Sequence, residues 1–208
     1  MEKHLDVHGH DNERVLHYGY MNSYYHTGLK NLMDEAILDH GHLEEDLKVK
    51  TDYRKIDEVP FDFVRRRMSV IVEDKKNRHI LICKGAVEEI MRLSPRVEVE
   101  GQVLDVLPEH DVHRKQLVQD LNAQGFRVVA VAYKVIPGDN DEPHYEVRDE
   151  SDLTLLGYLA FLDPPKESAT EALKRLHSLK VDVKILTGDN EIVTAYICGQ
   201  VGMPVEHL

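Results

Sequence analysis

The sequence has no tryptophan, only two cysteines, and no apolar run long enough to cross a membrane. Cys83 and Cys198 lie far apart, which excludes a disulfide framework or a cysteine zinc site and predicts two reduced, buried thiols. LLGYLAFL at 155–162 is among the longer apolar stretches, whereas a membrane helix needs about 20 such residues. The opening MEKHLDVHGH has no apolar signal-peptide core. We therefore expect a soluble, cytosolic segment, whatever a longer parent chain carries elsewhere.

Positive charge is also scarce, with 26 Lys and Arg against 38 Asp and Glu and a formal net charge of -12. This balance argues against nucleic-acid binding, because a phosphate backbone needs a broad basic surface. It would repel any anionic ligand unless cations were gathered at one place. The positions of the few lysines and arginines are therefore informative.

The chain divides into two patterns near residues 163–165. Before this point, short β-rich runs and helices mix, with helical spacing at 11–39 and a hairpin around Gly101. The other predicted elements are strands at 68–74, 79–85 and 127–136 and helices at 86–94 and 108–125.

Nearer the C-terminus the pattern predicts a parallel α/β unit. Strand 157–163 is followed by helix 166–180, strand 181–189 and helix 190–202. Asp163, Pro164 and Pro165 mark the joint, because two prolines stiffen the chain and exclude helix. We predict one domain over residues 1–164 and a second, partial one over 165–208.

The stretch LICKGAVEEI at 81–90 ends an apolar strand with a lysine and a glycine. Gly85 permits close backbone approach, so a ligand held by Lys84 can lie against this turn. The alternative is a lysine at a strand edge whose charged end reaches solvent.

The stretch PFDFVRRRMSV at 60–70 places Phe61 and Phe63 beside three arginines, Arg65 to Arg67. An exposed aromatic ring can stack on a nucleobase. The alternative is that the phenylalanines are core residues and the arginines a solvated strand face. A regular strand puts Phe61 and Arg66 on opposite faces, so a shared ligand requires a turn or bulge between them.

Two further stretches matter to different degrees: Arg127 at a sheet end is unremarkable by itself, whereas ILTGDN has a pattern typical of phosphate binding. Arg127 follows Gly125 at the start of a strand, and ILTGDN at 185–190 runs from a strand through Thr-Gly-Asp into a helix. Phosphates bind at such strand ends and helix N-termini, although a simple helix cap has the same sequence. The HGH triplets at 8–10 and 40–42 have metal-binding chemistry but no cysteine partners, and we expect no metal site there.

These stretches occur in one order: PFDFVRRRMSV, KGA at 84–86, GFRVVAVA at 125–132, DPPK at 163–166 and LTGDN at 186–190. Together they resemble the cytosolic region of a P-type ATPase, from the nucleotide-binding domain into the phosphorylation domain, over nearly the whole chain. FDFVRRRMSV, ICKGAVEEI and NLMDEAIL are most similar to the bacterial magnesium-importing branch. Calcium and sodium pumps usually have proline at the position of Val87, and a calcium-type pump is the alternative.

The resemblance implies an α+β fold: an antiparallel sheet flanked by helices, with a partial α/β, haloacid-dehalogenase-like fragment of the phosphorylation domain at the C-terminus. It implies that ATP, as Mg-ATP, binds this chain. Phe61 would stack on adenine, Lys84 would line the cavity floor, and Arg66 would replace a lysine of other branches. Asp34 stands where many relatives have glutamate. The implied nucleotide-binding residues are Asp34, Phe61, Arg66, Lys84, Gly85 and Arg127.

The same resemblance gives the C-terminal motifs their roles. Thr187, Gly188 and Asp189 would form the loop that closes over the phosphorylated aspartate and the nucleotide phosphates. Asp163, Pro164 and Pro165 would form the hinge between the domains. These two sets are the implied catalytic and hinge residues.

Two motifs of the family are missing from the chain. Neither DKTGT, with the aspartate that accepts the phosphoryl group, nor GDGxNDxP, with the carboxylates that hold catalytic Mg²⁺, occurs. We therefore expect a piece of a longer bacterial inner-membrane protein, partnered by the rest of its phosphorylation domain and by actuator and transmembrane domains. It should bind ATP without completing phosphoryl transfer.

A central strand of the phosphorylation domain would also be missing. We expect the strands at 158–163 and 181–186 to expose apolar surface, so that residues 165–208 are mobile or self-associate. Two other classes remain as rivals. A free haloacid-dehalogenase-like phosphatase lacks its DxD or DKT nucleophile here, and a non-catalytic metal-binding or interaction domain would use the His-rich N-terminus.

Overall fold

The computed structural model describes residues 1–39, 49–137 and 144–203, with the side chains of 108–110 left out. The N-terminal part contains strand β1 (Lys3–Leu5) and helices α1 (Glu13–Tyr25) and α2 (Leu32–Leu38). The helical prediction for 11–39 thus becomes two helices. Each begins at an asparagine whose side chain accepts a hydrogen bond from a first-turn backbone N–H, as an N-cap does.

The described residues build an eight-stranded sheet in the order β2-β3-β4-β7-β8-β5-β6, with β1 also paired to β8. Its other strands are β2 (Tyr53–Asp62), β3 (Arg67–Asp74), β4 (Arg78–Ala86), β5 (Arg96–Val99), β6 (Gln102–Asp105), β7 (Phe126–Pro137) and β8 (Thr154–Leu162). The remaining helices in the described part of the chain are α3 (Val49–Asp52), α4 (Val87–Leu93), α5 (Pro108–Ala123), α6 (Glu167–Ser178) and α7 (Glu191–Gln200). Strands pair antiparallel except β5 with β8, so the predicted α+β fold with an antiparallel sheet flanked by helices is confirmed.

The central strands are covered on both faces. Val70 and Ile82 pack in the cluster that includes α1, whereas Ile71 and Leu81 pack in the cluster that includes α4 and α5. A strand buried on both faces has few polar positions, which is why β3 and β4 appear in the sequence as continuous apolar runs. Both cysteines are free and buried, as predicted, and burial raises the pKa of the Cys83 thiol to about 12.

The segment after β8 differs from the prediction. The strand predicted at 157–163 is part of β8, which is buried in the antiparallel sheet beside β7, so it does not begin a parallel unit. The strand predicted at 181–186 is wrong: these residues form no strand, because no neighbouring strand in the described part of the chain takes up their backbone hydrogen bonds. They do expose apolar side chains, including Leu186 at 96%.

The two C-terminal helices are attached to different degrees. No residue of α6 is buried, whereas α7 contacts α5 and buries Val193 and Cys198. Tyr196 of α7 lies directly against Gly125, at the end of the α5–β7 connection. Among the described residues, no helix has both the length and the apolar character of a membrane span.

Candidate functional site

Lys84 lies inside the sheet, not at its edge. It is on β4 between Met68 of β3 and Val131 of β7, and it is only 6% exposed. Its Nζ donates hydrogen bonds to the Ser23 hydroxyl, at 2.6 Å, and to the carboxylate of Asp34. The edge-lysine alternative is therefore wrong, because the ammonium group is buried and bound by two polar side chains from α1 and α2.

Asp34 is held in place by the start of its own helix. The Asn31 side chain accepts from the backbone N–H of Asp34, and the Asp34 carboxylate accepts from Asn31 and from the Ser23 hydroxyl. Burial by itself would raise the pKa of Asp34, but the charge and hydrogen bond of Lys84, together with the hydrogen bonds from Ser23 and Asn31, outweigh it and leave the pKa below its ordinary value. Burial lowers the pKa of Lys84, and Asp34 opposes that change.

The chain turns sharply between Phe61 and Arg66, as a shared ligand requires. The β2–β3 ladder shifts register after Val59, and Arg66 has a positive φ of 49°. Phe61 is 46% exposed, and its ring meets the ring of Phe63 edge to face, with centroids 5.2 Å apart. Phe61 is thus not a core residue, and its ring is available to a ligand.

Gly85 lets this turn approach the end of β4. A Cβ on Gly85 would lie 2.5 Å from the carbonyl oxygen of Arg66, and the same oxygen accepts from the backbone N–H of Ala86 at 2.9 Å. The Arg66 side chain is half exposed and forms an ion pair with Glu89, at 2.8 Å. The turn that carries Phe61 and Arg66 therefore adjoins the strand end that carries Lys84.

Arg127 connects the predicted hinge and the predicted phosphate loop. Its guanidinium lies 2.8 Å from the carboxylate of Asp189 and 3.4 Å from that of Asp163. The backbone N–H of Asp189 donates to the Thr187 hydroxyl, and Gly188 has open space around its Cα. Pro164 and Pro165 follow Asp163 without regular structure. The structure thus brings Arg127, Asp163 and Asp189 together, separately from Lys84 and Asp34.

Two buried residues near these groups were not predicted from the sequence. Ser23 bridges Lys84 and Asp34, and Glu150 accepts hydrogen bonds from Arg65, Arg67 and Ser69. Nothing in the local pattern marks either residue, because each contacts partners far away in the sequence. Arg65 and Arg67 are therefore not a solvated strand face; of the three arginines, only Arg66 points outward.

Among the described residues, no group of three or more His, Cys, Asp or Glu side chains is placed to hold a metal ion. His8 and His10 lie near each other with ring centroids 6.3 Å apart, and His8 lies 6.0 Å from His113. His40 and His42, the other predicted HGH triplet, lie outside the described residues.

An open cavity of about 560 Å³ lies at the opposite end of β2 and β3. Its charged lining is largely paired, with Arg54 bound to Glu73 and Lys75 bound to Asp52. None of the predicted nucleotide-binding residues lines it. The cavity therefore lies away from the sheet end where the aromatic and cationic groups meet, and the chemistry of the side chains is the better guide to a ligand site.

Residues 7–168 match the family described as P-type ATPase, cytoplasmic domain N. The chain is 47% identical over 206 residues to the magnesium-transporting ATPase, P-type 1, of Escherichia coli K12, covering 98% of this chain and 22% of that protein. It is 48% identical over 204 residues to the protein of the same name from Salmonella typhimurium LT2, with the same coverage. A calcium-transporting ATPase of Bacillus subtilis is 33% identical over 142 residues, covering 68% of this chain and 16% of that protein. The chain, which spans about a fifth of the length of its magnesium-transporting relatives, belongs to the P-type ATPase family and contains that family's cytoplasmic domain N.

Proposed function

We propose that this chain binds ATP at the end of the sheet formed by the β2–β3 turn and the end of β4. The observation that carries the proposal is the position of that turn. It leaves the Phe61 ring half exposed while its backbone lies against Gly85, next to the buried ammonium of Lys84. A stacking ring and a fixed cation side by side suit a nucleotide.

The charge distribution supports the same proposal. A chain with a formal net charge of -12 attracts an anion only where cations are concentrated. Arg66 is half exposed at the turn, and Lys84 is fixed behind it. In the proposal, Phe61 stacks on adenine, Lys84 and Gly85 form the floor, and Asp34 orients Lys84 instead of contacting the base itself.

Arg127 would bind the phosphates. In the described structure its guanidinium is paired with Asp189 and Asp163, so a nucleotide phosphate would displace these carboxylates from the guanidinium. Thr187, Gly188 and Asp189 would then close over the phosphate chain, with Asp163 to Pro165 as the hinge. Mg²⁺ would arrive with ATP and neutralise phosphate charge.

At the level of the whole protein, we propose that residues 1–164 are the nucleotide-binding domain of a longer magnesium-transporting pump in a bacterial membrane. Residues 165–208 would belong to its haloacid-dehalogenase-like phosphorylation domain. The exposed apolar side chains at 179–186 support this, because the missing part of such a domain would cover them. Magnesium rests on the names of the relatives that match nearly the whole chain.

Replacing Phe61 with alanine should weaken ATP binding about 5- to 150-fold, because base–aromatic stacking contributes about 1–3 kcal/mol. Val64→Ala is the matched control: Val64 is exposed in the same turn, and its loss should change the affinity less than about twofold. Isothermal titration calorimetry on the 208-residue chain measures both. Equal ATP affinity in the wild type and in Phe61→Ala would show that adenine does not stack on this turn.

Replacing Arg127 with glutamine should weaken ATP binding about tenfold and leave adenosine binding unchanged, since the guanidinium is proposed to contact only phosphate. Its present ion pairs are partly exposed and contribute at most about 1 kcal/mol to stability, so the chain should stay folded. Parallel titrations with ATP and adenosine make the comparison. If both ligands weakened equally, Arg127 would act through the fold and not through the phosphates.

A further inference from the structure

Glu150 is a buried carboxylate that is not one of the proposed nucleotide-binding residues. Its side chain is 0% exposed, and it follows the 3-10 turn Val147–Asp149. Its Oε2 accepts from Arg65, at 2.6 Å, and from Arg67, at 2.8 Å, while its Oε1 accepts from the Ser69 hydroxyl at 2.7 Å. All three donors belong to the β2–β3 turn or to the first residues of β3.

Arg65 extends this contact to the part of the turn that precedes it. Its guanidinium donates to the Pro60 carbonyl oxygen at 2.6 Å, and its backbone N–H donates to the Asp62 carboxylate at 2.8 Å. Pro60 and Asp62 flank Phe61 on either side. Glu150 is therefore linked, through a single arginine, to the backbone on one side of the exposed aromatic ring.

The same cluster determines the direction of Arg66. Arg65 and Arg67 are held inward by Glu150, so the residue between them, with its positive φ, points its side chain outward. A carboxylate buried without partners is strongly unfavourable, so the two arginines and Glu150 require one another. Two of the three consecutive arginines, Arg65 and Arg67, thus bind Glu150, and the third, Arg66, is the cation that faces outward.

We propose that Glu150 is a positioning residue for the nucleotide site: its carboxylate fixes the β2–β3 turn and thereby holds Phe61 and Arg66 in place for ATP. This inference rests on the proposed ATP binding. Glu150 does not touch the nucleotide. It acts through Arg65 and Arg67, and it removes conformational freedom that ATP would otherwise have to restrict on binding.

The test uses the 208-residue chain with 4-fluorophenylalanine in place of phenylalanine. The sequence has four phenylalanines, so the ¹⁹F spectrum reports Phe61 and Phe63 in the turn against Phe126 and Phe161, which are buried. In Glu150→Gln we expect the two turn signals to shift or broaden and the two core signals to stay. ATP affinity, by calorimetry on unlabelled protein, should fall about tenfold as the turn loses its fixed geometry.

A second variant covers the case in which Glu150→Gln does not fold. Arg65→Met removes the link to Pro60 but leaves Arg67 and Ser69 bound to Glu150, so no buried carboxylate is left alone. It should move the same two ¹⁹F signals and weaken ATP binding about fivefold. Arg54→Met is the matched control, because Arg54 is an ion-paired arginine at the other end of β2. It should change neither readout.

The outcomes separate this inference from the proposed function. The positioning role is overturned if folded Glu150→Gln keeps the wild-type ¹⁹F signals and the wild-type ATP affinity. If Glu150→Gln does not fold, the same result in folded Arg65→Met overturns it. A shift of all four signals also overturns it, since that pattern reports a general loss of packing. If the wild type itself does not bind ATP, the proposed function fails, and the ¹⁹F spectra still decide whether Glu150 holds the turn.

Discussion

Replacing Lys84 with methionine should lower the free energy of unfolding by about 3–5 kcal/mol, because it leaves the buried carboxylate of Asp34 without its cation. The Ser23 hydroxyl alone cannot neutralise that charge. The same variant should also bind ATP more weakly, but the two effects have different causes. Urea denaturation measures the first without any nucleotide present.

The double variant Lys84→Met with Asp34→Asn separates the two effects. Removing both charges should restore most of the lost stability, since a buried ion pair replaced as a whole is often close to neutral. ATP binding should stay weak, because the ammonium group is still absent. A double variant as unstable as Lys84→Met would show that the ion pair is not the source of the lost stability. Full recovery of ATP affinity in the double variant would show that Lys84 does not bind ATP.

The pH dependence of stability provides a check on the same pair. The folded-state pKa of Asp34 lies below its ordinary value of 3.8, so its contribution is present above that pH and is lost as the pH falls further. Thermal melts between about pH 5 and pH 2 should therefore show a steeper loss of stability in the wild type than in the charge-free double variant. Parallel curves would contradict a lowered pKa at Asp34.

Replacing Gly85 with alanine should destabilise the chain by about 1–3 kcal/mol and also weaken ATP binding. The new Cβ would lie 2.5 Å from the Arg66 carbonyl oxygen and 2.7 Å from the Arg67 Cα, and these backbone atoms cannot move aside as a flexible side chain can. The β2–β3 turn must shift away from β4. Urea denaturation and an ATP titration on one preparation measure both effects.

Gly199→Ala is the control for the glycine substitution. Gly199 lies in α7 with nothing within 4 Å of the added Cβ, and alanine is the better helix former by about 1 kcal/mol. It should leave stability unchanged or raise it, with no effect on ATP affinity. If Gly85→Ala matched Gly199→Ala in both measurements, close approach at Gly85 would not be required.

Much of the fold follows from the sequence because the central strands are buried on both faces. β3, β4 and β7 appear as apolar runs, and the helix predicted over 108–125 is observed as α5. The need for a turn between Phe61 and Arg66 also followed from strand geometry, and the turn is present. These features depend on the local run of apolar residues and on the period of side chains along a strand or helix, and both can be read from a single sequence.

Features that depend on a distant partner were not predictable in this way. The apolar alternation at 181–186 favours a strand, but no strand forms in the described chain without a neighbour to pair with. Glu150 is one of several acidic residues in the loop before β8, and its role depends on arginines more than 80 residues away. Ser23 looks like any helical serine until Lys84, 61 residues on, is found bound to it.

The most direct test of nucleotide binding at this end of the sheet is an ATP titration of the wild-type chain followed by amide NMR. Binding there predicts shifts at Phe61, Arg66 and Gly85 and, for the phosphates, at Arg127, with little change around the cavity at Tyr24 and Arg54. No response to millimolar ATP, or shifts confined to that cavity, would contradict it.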